Sequence, residues 1–162
     1  MSRRFEFTLF ADYFQFYLQD EPVEGDLSES WPQEAVDRLL AIAPGKIGVG
    51  TVRNMNVPVV IEIAEFAPDE NLSQWDQVNE CDLEVQSGRV VIAGCTDYYP
   101  DARRIELPPG PYRARIYYGR LNARSADGLD GDDHYKIVLW SAASEPLKVI
   151  KQRAKVDAAN SS

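Results

Sequence analysis

Residues 81–119 read CDLEVQSGRVVIAGCTDYYPDARRIELPPGPYRARIYYG, and apolar residues recur there at nearly every second position. Period two marks strands that bury one face. Leu83, Val85, Val90 and Ile92 make one apolar face, with Asp82, Glu84 and Gln86 on the wetter one. Ser87-Gly88 predicts a two-residue hairpin turn. Pro108-Pro109-Gly110-Pro111 predicts a rigid turn that sends Tyr112, Ala114, Ile116 and Tyr118 to one face of the next strand. Arg113, Arg115 and Tyr117 fall on the other, a cationic face that could contact phosphate but is expected rather in solvent or paired with the acidic strands. Four strands are thus predicted at the centre of an all-β domain.

The hairpin sets an expectation for the cysteines. If Gln86 faces Arg89, Cys81 faces Gly94 and Cys95 faces Glu80, so the two thiols point to opposite sides. A disulfide is then disfavoured, which suits a reducing compartment and a cytoplasmic protein. With one His and two such Cys in the chain, the usual zinc ligand sets are not available.

The flanking sequence extends the pattern. FEFTLF (5–10), YFQFYLQ (13–19), KIGVGTVR (46–53), VPVVIEIA (57–64), YKIVLW (135–140) and LKVIKQ (147–152) read as further strands. Phe14, Phe16 and Leu18 should share a face. Asn54-Met55-Asn56 suits a hairpin link, and Pro58 an edge strand or a strand start. Gly48 and Gly50 mark a bulge or a close backbone approach. One helix is expected, with Ser30 as N-cap, a stripe of Val36, Leu39, Leu40 and Ala43, and Pro44-Gly45 as its stop. Residues 20–30 carry five carboxylates and no counter-charge, and read as a solvated loop. Trp75 is the expected anchor of the polar 66–80 segment. Together these predict an antiparallel β-sandwich of about eight strands with one short α-helix. It would form a single domain over 1–152, followed by a flexible tail, 153–162.

Charge narrows the function classes. Net charge is −9. Residues 1–88 hold 17 acidic and 5 basic side chains; residues 89–162 hold 9 and 12. Such a surface repels nucleic acid and attracts a basic protein, unless it serves only solubility. No apolar run reaches a membrane span.

Three constellations could carry chemistry. Asp127, Asp130, Asp132 and Asp133 on a Gly-containing loop could bind Ca²⁺, giving a Ca²⁺-dependent binding module. The EF-hand pattern fails, because counting from Asp130 puts Tyr135 at the glycine position and Ser141 at the last ligand position. His134 with Asp97 could serve a small-molecule enzyme in a sandwich cleft, but no triad or metal-protease motif accompanies them. The expectation is a non-enzyme without cofactor or metal. Asp97, Tyr98 and Tyr99, with Asp130, Asp132 and Asp133, combine loop aromatics with carboxylates, the pairing expected of a partner-binding surface.

The order of motifs adds a resemblance. YFQFYL is followed by WPQEAVDRLLAIAPGKIGVGTVRN, VPVVIEI, EVQSGRVVIAG, IELPPGPYRARIYY and DDHYKIVLW. From Tyr13 to Trp140 this layout resembles the competence protein J family, chiefly in W-x-x-E-A, GKIGVGTVRN and LPPGPY. The founding type inhibits a DNA-entry nuclease. The resemblance implies a small acidic inhibitor or immunity-like protein that blocks a nuclease.

Overall fold

The computed structural model describes residues 3–23, 27, 30–69, 71–123, 125 and 130–153. Eleven strands occur among them: β1 (Arg3–Phe10), β2 (Gln15–Asp20), β3 (Leu40–Ala43), β4 (Lys46–Gly50), β5 (Asn56–Ala64), β6 (Gln77–Val85), β7 (Arg89–Gly94), β8 (Arg103–Glu106), β9 (Gly110–Gly119), β10 (His134–Ser141) and β11 (Lys148–Lys151). They form two sheets, ordered β1-β5-β10-β9-β6-β11 and β3-β4-β2-β7-β8. The all-β sandwich is as expected, with more strands and one parallel pair, β5 with β10.

Strands adjacent in sequence are often not partners. β4 and β5, β6 and β7, and β8 and β9 each lie in opposite sheets. The turns read as hairpins at 54–56 and 87–88, and the rigid turn at 108–111, are therefore corners between layers. Cys81 pairs with Ala114, and Gly94 with Phe16, so the expected Cys81–Gly94 register is overturned. Both thiols are free, now because they belong to different layers. Burial pushes the Cys81 thiol up to about 12 and keeps it protonated.

Asp20 explains the corner at 86–88. The sequence places it at the start of a solvated loop, yet it is buried. Its carboxylate accepts the Gln86 N–H (2.9 Å), the Ser87 N–H (3.0 Å) and the Ser87 hydroxyl (2.5 Å). Those amides would otherwise start the hairpin ladder. Gly88 turns the chain at φ +79°, and its carbonyl takes the Leu107 N–H at 3.0 Å. The neighbouring Pro108 corner is thereby tied to the same edge.

The inner faces meet as the alternation predicts. Phe16, Leu18, Ile47, Val49, Val90 and Ile92 pack in one core with Val59, Ile61, Leu83, Ile116, Tyr118 and Ile137. Full burial of each such aliphatic contributes about 1.5–3 kcal/mol. Phe14 is the exception to its expected stripe, because β2 begins only at Gln15.

The helix is shorter than expected. α1 spans Gln33–Arg38 and stops at Leu39, which adopts a left-handed conformation (φ 62°). The Leu39 carbonyl accepts the Gly50 N–H (2.9 Å) and the Tyr118 hydroxyl (2.6 Å), and Asn79 donates to the Arg38 carbonyl (2.7 Å). These bonds draw 40–43 into the sheet as an edge strand, so the predicted helical stripe breaks and Val36 is exposed. Gly50 shows why that approach is possible: a Cβ there would lie 3.1 Å from Leu39 Cα. Pro58 fits the strand-start reading, pairing with Thr8 before β10 joins β5 at Val59.

On the outer face of the six-stranded sheet, the cationic residues of β9 pair with acidic β6. Register sets Arg113 against Asp82 and Arg115 against Glu80. Buried Arg113 donates to Glu80 (3.1 Å), Asp82 (2.7 Å) and the Glu145 and Pro146 carbonyls (2.7 and 3.1 Å). Arg115 reaches Glu80 at 2.9 Å and the Pro68 carbonyl at 2.9 Å. Trp75 anchors the covering segment on Tyr117, with ring centroids 5.2 Å apart.

Two predictions follow from these anchors. Asp20→Ala should lower unfolding free energy by about 3 kcal/mol, because a buried charged acceptor is lost from the Gln86 and Ser87 amides and the Ser87 hydroxyl. Urea denaturation checks this, and a loss below about 1 kcal/mol would contradict the corner assignment. For Asp82, burial pushes its pKa up, but hydrogen bonds from Ser144 and Arg113 outweigh that and hold it below the ordinary value. A depressed carboxylate stabilises the fold above its unfolded pKa, about 3.9, and loses that contribution as pH falls through the folded value. Asp82→Asn should therefore flatten the acid limb of stability against pH, read by circular dichroism below pH about 4.

Candidate functional site

Strand direction gathers loops at one end of the sandwich. Phe10 pairs with Asn56, Gln15 with Gly50, Phe16 with Gly94, and His134 with Gly119. Segments 11–14, 51–55, 95–102 and the described parts of 120–133 therefore emerge together. The Asp97–Asp101 and Asp130–Asp133 loops both leave from strands at this end, and the former folds back along the five-stranded sheet, its Tyr99 hydroxyl reaching Glu21 beyond the far end of β2.

The 95–102 loop is built on a stiff base. The Asp97 carboxylate accepts the Gly94 N–H at 2.8 Å. Tyr99 opens a short 3-10 turn, Tyr99–Asp101, and its hydroxyl donates to the Glu21 carbonyl at 2.7 Å. Arg104 lies over the Tyr99 ring (5.2 Å) and binds Glu21 at 2.6 Å, while Arg89 binds the other Glu21 oxygen at 2.7 Å. The Arg89 and Arg104 guanidiniums hold the Glu21 carboxyl below its ordinary pKa. What this base presents is Tyr98, which is 71% exposed. Beside it a cleft of about 520 Å³ runs between β1 and the loop, lined by Glu6, Asp97, Asp101 and Arg103 among others.

The second loop divides. Asp130 and Asp132 are exposed, and Asp132 lies 3.6 Å from Arg120. Asp133 is fully buried, in an ion pair with Arg53 and accepting the Tyr135 hydroxyl at 2.5 Å. Tyr135 in turn accepts the Val52 N–H at 3.0 Å. Asp133 therefore leaves the expected contact surface, since its charge is consumed in bracing the loop end. The same geometry removes it from a Ca²⁺ site. Among the described residues, no group of three or more His, Cys, Asp or Glu could hold a metal ion. Asp127 lies outside the described residues.

His134 packs edge-on against Trp75 at 5.2 Å, and its Nδ1 lies 3.0 Å from the Asp132 carbonyl. Asp97 is engaged on the other sheet. The two side chains of the supposed acid–base pair thus face different neighbours.

Sequence reading missed two members of this end. Tyr13 and Phe14, assigned to a strand, sit in a 3-10 turn with φ of 58° and 60°. Two successive aromatic residues in the left-handed region are unusual, and they leave the rings 69% and 52% exposed. With Trp31, Val36 and Leu39 they line a groove of about 290 Å³. Asp12, just before them, was the one available signal: its carboxylate accepts the Tyr13 N–H at 3.1 Å, a turn-forming contact.

The molecule is a two-layer, all-β sandwich of a six-stranded and a five-stranded sheet. No family model matches the chain, and no curated protein matches it. Among solved structures its fold is shared by ComJ, inhibitor of the DNA degrading activity of NucA, from Bacillus subtilis. That superposition has TM-score 0.70 and 18% identity, over 88% of this chain and 99% of ComJ. The crocagin biosynthetic gene J product superposes with TM-score 0.62 and 22% identity, over 88% and 99%. The competence protein J layout read from the sequence is thus present as a fold.

The two loops should respond differently to truncation. Asp133→Ala strands Arg53 without its buried partner and should cost about 3–5 kcal/mol. Tyr98→Ala removes an exposed ring and should stay within about 0.5 kcal/mol of wild type. Thermal unfolding of both variants checks this, and equal losses would contradict the division between brace and contact surface.

Proposed function

We propose that this chain is a protein–protein inhibitor module that binds a basic nuclease through its loop end, and that it is not itself an enzyme. The observation that carries the reading is Tyr98, raised on a braced loop beside the exposed carboxylates Asp97 and Asp101. Asp130 and Asp132 extend the acidic rim. A rigid exposed aromatic supplies contact area at small entropic cost, and hot spots favour Tyr. Surrounding carboxylates, with a net charge of −9, steer a basic partner and discourage wrong ones. The fold shared with ComJ, an inhibitor by its name, supports the same class. The free cysteines fit a reducing compartment, and we place the protein in the cytoplasm. Among the described residues no helix is long and apolar enough to cross a membrane.

The experiment is affinity capture from the source cell, followed by DNA-cleavage assays on what is recovered, with and without added protein. A captured nuclease should be slowed, and Tyr98→Ala should weaken inhibition by about tenfold. Association should also slow as salt rises, because screening removes the steering. Recovery of no nuclease that the protein inhibits would sink the reading.

A further inference from the structure

Short edge strands blunt a sheet's tendency to take on another strand. Three of the four edge strands, β3, β8 and β11, are four residues long, but β1 runs for eight. Register fixes which of its backbone groups are used. The Ala11 N–H bonds the Met55 carbonyl at 2.9 Å, continuing the register in which Leu9 faces Val57 and Phe7 faces Val59. Bonded and non-bonded pairs alternate along an antiparallel ladder, so Leu9 and Phe7 bond β5 while Thr8 and Glu6 point their N–H and C=O groups away from it. Pro58, opposite Thr8, has no N–H to offer, which agrees. Among the described residues, no strand lies beside β1 on that side.

The cleft of about 520 Å³ takes the place of that strand. It touches exposed Glu6 and Thr8 and also Phe7 and Leu9, which turn toward the core, so it follows the edge of β1 rather than either face. The 97–103 segment stands across it. Its ends are bounded. Arg3 donates to the Glu106 carbonyl at 2.6 Å, and the Phe10 carbonyl abuts Gly94, where a Cβ would come within 2.3 Å of it. The lining carries three exposed carboxylates, Glu6, Asp97 and Asp101, against one cation, Arg103, which lies over the Phe7 ring at 5.3 Å. A cationic occupant is therefore favoured over an anionic one.

We propose that the edge of β1 receives an extended, basic segment of the partner as an added strand, its backbone bonded to Glu6 and Thr8 and a Lys or Arg side chain set among Glu6, Asp97 and Asp101 beside Tyr98. Main-chain bonds of this kind supply affinity, and the side chains around the edge select the occupant. The four residues from Glu6 to Leu9 span about 13 Å, so the added run is short. The proposal deepens the inhibitor reading and rests on it for the protein nature of the partner.

The test follows the backbone amides of the isotope-labelled full chain by NMR, with acetyl-Lys-Val-Arg-Val-Lys-amide and acetyl-Glu-Val-Glu-Val-Glu-amide as probes. The basic peptide should shift the Glu6 and Thr8 amides saturably in the millimolar range and slow their hydrogen exchange, while the Phe7 amide, already bonded to β5, changes little. The acidic peptide should bind about tenfold more weakly at low salt. Thr8→Pro deletes an outward N–H and leaves the β5 ladder intact, so the fold should survive and binding should fall about tenfold or more. Asp101→Lys, at an exposed loop position, should also weaken the basic peptide about tenfold. No saturable shift at Glu6 and Thr8, or binding to Asp101→Lys or folded Thr8→Pro equal to wild type, overturns the assignment. So does a shift of these amides with protein concentration alone, which marks a second copy as the occupant. The nuclease assay decides the inhibitor reading separately. Inhibition undiminished by Thr8→Pro removes the edge and keeps the inhibitor, while peptide binding with no nuclease inhibited removes the nuclease and leaves the edge with another protein partner.

Discussion

The Asp20 carboxylate is the contact on which the layering depends. By taking the Gln86 and Ser87 amides it removes the donors that a hairpin between β6 and β7 would use. The two strands are then free to join different sheets, β6 beside β9 and β7 beside β2. A chain with this much local alternation could otherwise close into consecutive hairpins. One buried, hydrogen-bonded anion argues against that alternative, because leaving either it or its amides unpaired in the interior is costly.

The same device recurs. Glu80 and Asp82 fix the outer face of the six-stranded sheet through Arg113 and Arg115, and Asp133 braces the loop end through Arg53 and Tyr135. Three of these four carboxylates, Asp20, Glu80 and Asp133, are buried, and Asp82 is part-exposed. They act as acceptors whose partners come from distant segments, so each holds a loop or register that apolar packing alone leaves loose. Rigidity at the base then allows Tyr98, Tyr13 and Phe14 to stand in solvent without collapsing onto the sheet.

Much of the fold was legible from period two. The strands at 5–10, 46–50, 57–64, 81–85, 89–94, 112–118 and 135–140 and the inward residues of each follow from alternation, since a half-buried pleat demands it. The pairing of Arg113 and Arg115 with acidic strands was one of three readings that charge left open. Helix length was misjudged because Val36, Leu39 and Leu40 have helical spacing, while tertiary hydrogen bonds from Gly50, Tyr118 and Asn79 pull the chain out of the helix at Leu39. Of the residues read as a candidate surface, Tyr98 and Asp97 are exposed, whereas Asp133 is buried. Its sequence neighbours are exposed carboxylates, and nothing local distinguishes it from them.

By itself the sequence determined the secondary structure class, the composition of the core and the net charge. These depend on residues close along the chain, or on their sum. Tertiary structure alone decided which turns are hairpins and which are corners, which carboxylates are buried, and that Tyr13 and Phe14 are surface residues. Each of those outcomes is set by a partner far away in sequence: Ser87 for Asp20, Arg53 for Asp133, Thr51 for Phe14. Local pattern carries no information about such partners until the sheets have assembled.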